Sequence, residues 1–172
     1  MAGAVPEEDR KLVRSHIVDL MLSTDAGVRD QLSAAVATIS RVDFPHHWPE
    51  LLPSLAKHAS AGDPGIIIGV LESATAVFER FDGAYECDEV NFALKTALEG
   101  FVEPFHAIVG TLVAGVGPTL AGGTGTLPQL KQVIHGLDLA AQCFHHLCFP
   151  VLADAMNDRL AVTMPALMGL LK

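Results

Sequence analysis

Four side chains that can bind metals or transfer protons lie close together in the stretch DFPHHWPELL (43–52): Asp43, His46, His47 and Glu50. Carboxylates and imidazoles are the groups that hold zinc or act as general acids and bases. Adjacent histidines in a turn point in different directions, however, and no third ligand follows at a recognised spacing. We therefore predict that this stretch is neither a metal site nor a catalytic site.

A second group with metal-binding chemistry is C-x-H-H-x-C, formed by Cys143, His145, His146 and Cys148. On a helix, Cys143 and His146 share a face, whereas Cys148 lies well round from Cys143, so these residues suit one tetrahedral ion poorly. Free cysteine behaves as a small apolar residue. We interpret the group as buried cysteines with histidines at the edge of the core.

The glycine-rich stretch AGVGPTLAGGTGT (114–126) resembles a phosphate-binding loop only in composition. It lacks both the preceding strand and the Gly-Lys-Ser/Thr ending that such a loop needs. The chain also contains no G-x-S-x-G elbow for a nucleophilic serine. We therefore predict no catalytic, cofactor-binding or metal-binding residue, and no enzyme.

The composition favours packed helices in a reducing compartment. Half of the 172 residues are apolar, 18% are charged and only 6% are aromatic. The net charge of -9 argues against nonspecific nucleic-acid binding, which needs a clustered positive surface. Three scattered cysteines do not form a disulfide framework. The N-terminus carries acids where a signal peptide has bases, and the uncharged stretch 104–130 turns into loop composition, so we expect neither an export signal nor a membrane span.

Apolar residues recur at helical spacing along the chain, without the alternation typical of strands. The pattern predicts four helical hairpins at residues 7–42, 48–82, 88–117 and 128–172, whose first helices start about 40 residues apart. Two-helix units at this interval are typical of HEAT solenoids. The predicted fold is therefore all-α, an α-solenoid of HEAT-like helical hairpins that forms a single segment over residues 1–172.

Within the third hairpin, we expect one helix at 88–98 and another at 101–116, followed by a Gly/Thr loop at 117–126 and a helix from Pro128. The helix that opens the chain is amphipathic from Glu7 onward, without the polar outer face of a terminal repeat, and apolar residues are still in phase at the other end. We therefore expect this segment to be a fragment of a longer solenoid.

A structural corner between the first two hairpins is predicted at Phe44, Pro45, Trp48, Pro49 and Leu52. Pro45 forces Phe44 out of the helical region and ends the second helix, and Pro49 has the φ angle of a first helical turn. Trp48 is expected to pack on Leu52 as a hydrophobic staple, while Phe44 fills the space between repeats. We favour this interpretation of the stretch over a chemical one.

Partner binding is predicted on the second helices of the hairpins, because these line the concave surface of a solenoid. The polar residues that lie off the apolar stripes are Arg29, Arg41, Glu72, Glu79 and Arg80. Any single one of them is more often a merely solvated charge, since most surface charges contribute little. As a set, they are the candidate partner-binding residues.

The stretch ISRVDFPHHWPELLPSL resembles the CAS exportins, the importin-α re-exporters of the importin-β superfamily. The resemblance includes HIVDLMLSTDAGVRDQLSAAVATI before this stretch and GVLESATAVFERF after it, and it is strong over residues 12–81. Beyond that range, FVEPF, the helix at 128–148 and the Met-rich final helix align with the family. The Gly-rich loop and the few aromatic residues after residue 90 depart from its pattern.

This resemblance implies a nuclear export receptor that binds Ran in the GTP state together with importin-α and shuttles between nucleus and cytoplasm. The segment would correspond to about the third to fifth repeats. In the family, Ran lies against the second helices of the amino-terminal repeats, and both ends of the solenoid hold importin-α. The resemblance implies no cofactor, nucleic acid or membrane. The alternatives are a HEAT scaffold of another class and a helical-bundle enzyme with a His/Cys metal centre.

Overall fold

A computed structural model describes residues 5–59, 63–79 and 88–148, together with residues 165 and 168. These parts of the chain contain α-helices and no β-strand. The helices are α1 (Glu7–Ser23), α2 (Ala26–Asp43), α3 (Leu51–Ala59), α4 (Pro64–Glu79), α5 (Asp88–Ala121) and α6 (Leu127–Cys148), and a 3₁₀ turn (Gly123–Thr126) links α5 to α6. The predicted all-α class is confirmed.

Capping residues in the sequence determine where two of the helices begin. Asp25 accepts a hydrogen bond from the backbone N–H of Val28 at 3.2 Å, which caps α2. Asp63 Oδ1 accepts hydrogen bonds from the N–H groups of Gly65 and Ile66 at 2.8 and 3.0 Å, which caps α4. These N–H groups have no partner inside their own helices. Local sequence therefore sets the turns that precede α2 and α4.

The helices pair in chain order as three hairpins, α1/α2, α3/α4 and α5/α6. First helices pack on first helices, α1 on α3 and α3 on α5, and second helices do the same, α2 on α4 and α4 on α6. A stack in which each unit contacts its chain neighbours is a solenoid, so the predicted α-solenoid is confirmed. We call the interface between α1/α2 and α3/α4 the first joint, and the interface between α3/α4 and α5/α6 the second joint.

A continuous apolar core runs through all three hairpins. Its largest fully buried side chains are Phe78, Phe101, Phe105, Met21, Leu51, Leu52, Leu55, Ile67, Leu71 and Val36. Full burial of a side chain of this kind contributes about 1.5 to 3 kcal/mol. Contact between hairpins, rather than helix propensity, therefore holds the stack together.

The sulfur of Met21 joins three helices inside the first joint. It accepts hydrogen bonds from the hydroxyls of Ser33 and Ser73 at 3.2 and 3.3 Å. Met21 belongs to α1, Ser33 to α2 and Ser73 to α4, and all three side chains are buried. A buried hydroxyl without a partner destabilises the fold. The sulfur atom therefore lets two serines lie inside an apolar interface.

The predicted break in the third hairpin, near 98–101, is wrong, because α5 continues through Gly100 and Pro104. Phe101 and Phe105, one helical turn apart, are both buried, and their ring centroids lie 6.2 Å apart. A buried apolar stripe outweighs the local preference of glycine and proline for helix ends. The two helices predicted at this place are therefore one.

The loop predicted at 117–126 is also largely helical, because α5 extends to Ala121 and the 3₁₀ turn follows closely. Thr126 Oγ1 donates a hydrogen bond to the carbonyl of Thr119 at 2.5 Å, which closes the turn. The helix predicted from Pro128 begins one residue earlier and pairs with α5. The hairpin predicted at 88–117 is therefore a single helix that pairs with the first helix of the predicted fourth hairpin. The second half of that fourth hairpin lies outside the described residues and stays a prediction.

One segment of α5, Gly100–Ala121, is long and apolar enough to cross a membrane, with a mean hydropathy of 1.3. This criterion uses length and composition alone, and core helices of globular proteins also meet it. In the solenoid, Phe101, Phe105 and Ile108 from this segment are buried in the common core. At least one apolar face of this segment therefore packs in the core of the solenoid.

Candidate functional site

The second-helix face, which we define as the solvent side of α2, α4 and α6, was predicted to hold the partner-binding residues. Arg29 and Arg41 lie in α2, and Glu72 and Glu79 lie in α4. Arg80 lies outside the described residues. Arg41 and Glu79 are exposed, whereas Arg29 and Glu72 are half-buried. The four described residues therefore fall into two classes that do different work.

Arg29 fastens α2 to α4. Its Nη1 donates a hydrogen bond to the carbonyl of Gly65 at 2.9 Å, and its Nη2 donates one to the carbonyl of Thr24 at 2.9 Å. Its aliphatic part crosses Gly69, where a Cβ atom would lie only 2.7 Å from Arg29 Cδ. Glycine at this position is what allows the arginine to lie flat between the helices. Arg29 is thus engaged within the first joint.

Glu72 lies at the second joint in an unfavourable environment for its charge. Its side chain is 26% exposed, and Oε1 lies 4.0 Å from Nε2 of His135 in α6. Oε2 is buried and has no hydrogen-bond partner in the parts of the chain that the structure describes. Burial raises the pKa of the Glu72 carboxyl, and the negative charge of Asp30 adds to the rise. His135 and Arg29 lower that pKa without cancelling the rise.

Sequence reasoning missed Asp30 and His135, the two neighbours that define the Glu72 environment. Asp30 follows Arg29 in α2, and His135 lies 63 positions after Glu72 in α6. Periodicity places each residue on the polar side of its own helix. It does not tell which residues of three separate helices meet, so no local signal could have identified this group.

The five residues of the predicted corner lie where α2 ends and α3 begins. Phe44, Trp48 and Leu52 are 2%, 4% and 0% exposed and belong to one buried cluster. Phe44 follows the last residue of α2 and has an extended backbone, with φ -84° and ψ 139°, and its peptide bond to Pro45 is cis. Pro45 is buried, and Pro49 is exposed two residues before α3. The three large side chains therefore pack together between hairpins.

Beside this corner lies a buried ion pair that sequence reasoning also missed. Arg14 Nη1 donates a hydrogen bond to Asp43 Oδ2 at 2.6 Å, and the two side chains are 8% and 1% exposed. Arg10 Nη2 contacts Asp43 Oδ1 at 3.2 Å, and Arg14 Nη2 also bonds to Glu7. The hydrogen bonds to Glu7 and Asp43 raise the pKa of Arg14, and the hydrogen bond from Arg14 lowers the pKa of Glu7.

These contacts decide the chemistry of the DFPHHWPELL stretch. The Asp43 carboxylate is neutralised by two arginines, so it is not available as a metal ligand or general base. His46 and His47 are exposed, and the ring of His46 stacks on Phe92 with centroids 5.8 Å apart. Within the described ranges, no three His, Cys, Asp or Glu side chains come together as a metal site requires.

The C-x-H-H-x-C group lies near the end of α6. Cys143 is fully buried, and burial raises the pKa of its thiol to about 12. The rings of His145 and His146 meet edge to face, with centroids 5.4 Å apart. The side chain of Cys148 lies outside the described residues. Cys143 therefore carries a neutral thiol in the core, which is a poor metal ligand and nucleophile.

Comparison with curated proteins finds relatives along almost the whole chain, although no protein-family model matches. The chain is 32% identical over 163 residues to Exportin-2 from Xenopus laevis, 32% over 168 residues to Exportin-2 from Oreochromis niloticus and 30% over 158 residues to Exportin-2 from Homo sapiens. These alignments cover 95%, 97% and 92% of this chain. They cover 16%, 17% and 16% of the relatives, so the chain spans about a sixth of their length.

Among solved structures, the chain is similar to the exportin Cse1 in its cargo-free, cytoplasmic state, with a TM-score of 0.77 and 24% sequence identity. The match covers 96% of this chain and 18% of Cse1. This likeness establishes the fold, while the relationship by sequence rests on the exportin-2 proteins. Taken together, these comparisons show that the chain belongs to the exportin-2 (CAS) family of the importin-β superfamily, as a segment of about a sixth of its relatives' length.

Proposed function

We propose that this chain is part of a nuclear export receptor that, with the rest of its solenoid, binds Ran-GTP and importin-α and returns importin-α to the cytoplasm. The observation that carries this proposal is the 32% identity to Exportin-2 over 95% of the chain. Such a receptor shuttles between nucleus and cytoplasm. It acts through extended protein surfaces and needs neither a catalytic centre nor a cofactor.

Partner contact is proposed on the second-helix face. Arg41 and Glu79 are exposed there, and Arg80 follows Glu79 directly in sequence. Arg29 is held by two backbone carbonyls and Glu72 by the second joint, so we assign direct contact to Arg41, Glu79 and Arg80 first. Exposed charges of both signs suit a partner surface that is itself mixed in charge.

An apolar groove that the described residues leave open supports the proposal that the segment works within a longer stack. The groove has a volume of about 330 Å³ and is lined by Val13, Ile39 and Val42 of the first hairpin, among others. Val13 is 46% exposed and Val42 71% exposed. In a solenoid, apolar surface of this kind is normally covered by a neighbouring repeat.

Capture of Ran by the full-length parent protein tests the proposal. We expect Ran loaded with GTP to be retained in the presence of importin-α, and Ran loaded with GDP to be lost. Arg41→Glu in the parent should reduce capture, because it reverses an exposed charge on the second-helix face. Lys57→Glu is the matched control, since Lys57 is an exposed cation of α3, a first helix.

The alternative is a HEAT scaffold of another class, and the same assay separates the two functions. Retention of Ran regardless of nucleotide, or no retention at all, would favour the scaffold. Equal loss of capture in Arg41→Glu and Lys57→Glu would show that the effect does not depend on the second-helix face.

A further inference from the structure

The second joint contains a carboxylate that its surroundings do not neutralise. Glu72 is held between helices with 26% of its side chain exposed, and its buried Oε2 lacks a hydrogen-bond partner in the described parts of the chain. The facing side chain, His135, lies 4.0 Å away and is itself 52% exposed. Because histidine carries a charge only when protonated, His135 is not a permanent counter-charge for Glu72.

The charged groups around Glu72 come from each second helix. Arg29 and Asp30 face it from α2 and act in opposite directions. From α6 comes His135, flanked on its own helix by Lys131 four residues before and Asp138 three residues after. On the side of the first helices, His58 of α3 contacts Asp19 of α1, with Nε2 and Oδ1 2.7 Å apart. The ionisable side chain that faces Glu72 across the second joint is therefore His135.

When ionised, Glu72 is a half-buried anion whose Oε2 has no hydrogen-bond partner in the described ranges. Uptake of a proton turns it into a neutral carboxyl group, whose burial costs less free energy than that of a carboxylate. The neutral form therefore favours the closed joint over one in which Glu72 is hydrated.

We infer that Glu72 makes the second joint responsive to pH: uptake of a proton by this half-buried carboxylate tightens α6 on α4 as the pH falls from neutral toward the range in which carboxyl groups titrate. Arg29, which binds α4 from α2, stays charged throughout this range. The inference goes beyond the proposed function and is tested on the chain alone, so its outcome does not depend on any partner.

The sign follows from the carboxyl group. Folding raises the pKa of Glu72 above its ordinary value of 4.5, mainly through burial. A raised carboxyl pKa stabilises the folded state fully below the ordinary value, and this contribution is lost as the pH rises through the folded value. Acidification therefore tightens the second joint.

Backbone amide hydrogen exchange tests the inference when exchange rates are corrected for their intrinsic pH dependence. As the pH falls from about 7 toward 4.5, we expect the protection of α6 to rise several-fold relative to that of α2. Glu72→Gln should abolish this response and increase the protection of α6 at neutral pH.

Glu79→Gln is the matched control, because it removes an equal charge from an exposed position of the same helix. It should keep the response of the unaltered chain. An unchanged pH profile in Glu72→Gln, or loosening of α6 on acidification, would overturn the inference. If Glu72→Gln fails to fold, the carboxyl ¹³C resonance of Glu72 in the unaltered chain decides. An apparent pKa at or below 4.5 would refute the inference.

Discussion

The corner at Asp43 and the second joint at Glu72 both place a carboxylate inside a helical stack, but they treat it differently. Asp43 is 1% exposed and contacts two arginines at 2.6 and 3.2 Å. Glu72 is 26% exposed, lies 4.0 Å from a histidine and shares its surroundings with Asp30. A buried acid with a full set of partners fixes one geometry. A half-buried acid without them leaves an interface that its environment can adjust.

Removing Trp48 from the corner should have the largest effect on stability. Trp48→Ala deletes a side chain that is 4% exposed in the common core. We expect it to lower the free energy of unfolding by about 3 to 5 kcal/mol. Urea unfolding followed by circular dichroism measures this without relying on the lost tryptophan. Pro49→Ala, at an exposed position beside it, should cost far less. Reduced partner binding with unchanged stability would show that Trp48 is not a packing residue.

Breaking the ion pair at the corner comes next. Asp43→Asn removes one of the two carboxylates that bind Arg14, whose side chain is only 8% exposed, and leaves it with Glu7 alone. We expect a loss of about 3 kcal/mol in the free energy of unfolding. The double variant Arg14→Met with Asp43→Leu should recover much of that loss, because it removes both buried charges and the groups that lose a partner, Arg10 and Glu7, are exposed. If Asp43→Asn is as stable as the unaltered chain, the contrast with Glu72 disappears.

A smaller effect is expected where Arg29 crosses α4. Gly69→Ala places a Cβ atom 2.7 Å from Arg29 Cδ, which displaces the guanidinium from the carbonyls of Gly65 and Thr24. Overpacking costs about 1 to 3 kcal/mol, and the better helix propensity of alanine returns up to about 1 kcal/mol. We expect a net loss of about 1 kcal/mol in chemical denaturation. Gly110→Ala is the control, since nothing lies within 4 Å of a Cβ atom there.

The smallest effects on stability should come from the carboxyl groups of Glu7 and Glu72. Their contributions to stability depend on pH with opposite signs. Arg14 lowers the pKa of Glu7, so the contribution of Glu7 is present above its ordinary value of 4.5 and is lost as the pH falls below it. Glu7→Gln should therefore be slightly less stable than the unaltered chain at pH 7 and equal to it in strong acid. Glu72→Gln should be more stable at pH 7, and this advantage should also vanish in acid. Stability curves of the two variants that shift in the same direction would remove the distinction.

Much of the fold follows from local signals. Periodicity and the caps at Asp25 and Asp63 place α1, α2 and α4 close to their observed bounds. Pro45 correctly ends α2, because a proline restricts the residue before it. In α5 the same reasoning fails at Pro104, since burial of the neighbouring phenylalanines outweighs the breaker. Local rules therefore succeed at the capped starts of α2 and α4 and at the proline that ends α2, and they fail within α5, where packing of the phenylalanines outweighs them.

The candidate site was less predictable than the fold. Arg29 was expected to face a partner because its position lies off the apolar stripe, but its reach allows it to bind the backbone of α4. The Arg14–Asp43 pair spans 29 positions, and amphipathic patterns count both residues as solvent-facing. The periodicity of a single helix carries no information about which charges pair between helices. The exposed residues Arg41 and Glu79 stay predictions until a partner is measured.

The hydroxyls of Ser33 and Ser73 and the thioether of Met21 give the first joint a means of keeping register. Leucine, alanine and valine interlock almost equally well after one helix slides along another by a turn of about 5.4 Å. Such a slide of α1 would move the sulfur acceptor away from both hydroxyls and cost the two hydrogen bonds that they donate to it. A few polar contacts thus favour one alignment of the helices among several that apolar contacts alone would allow.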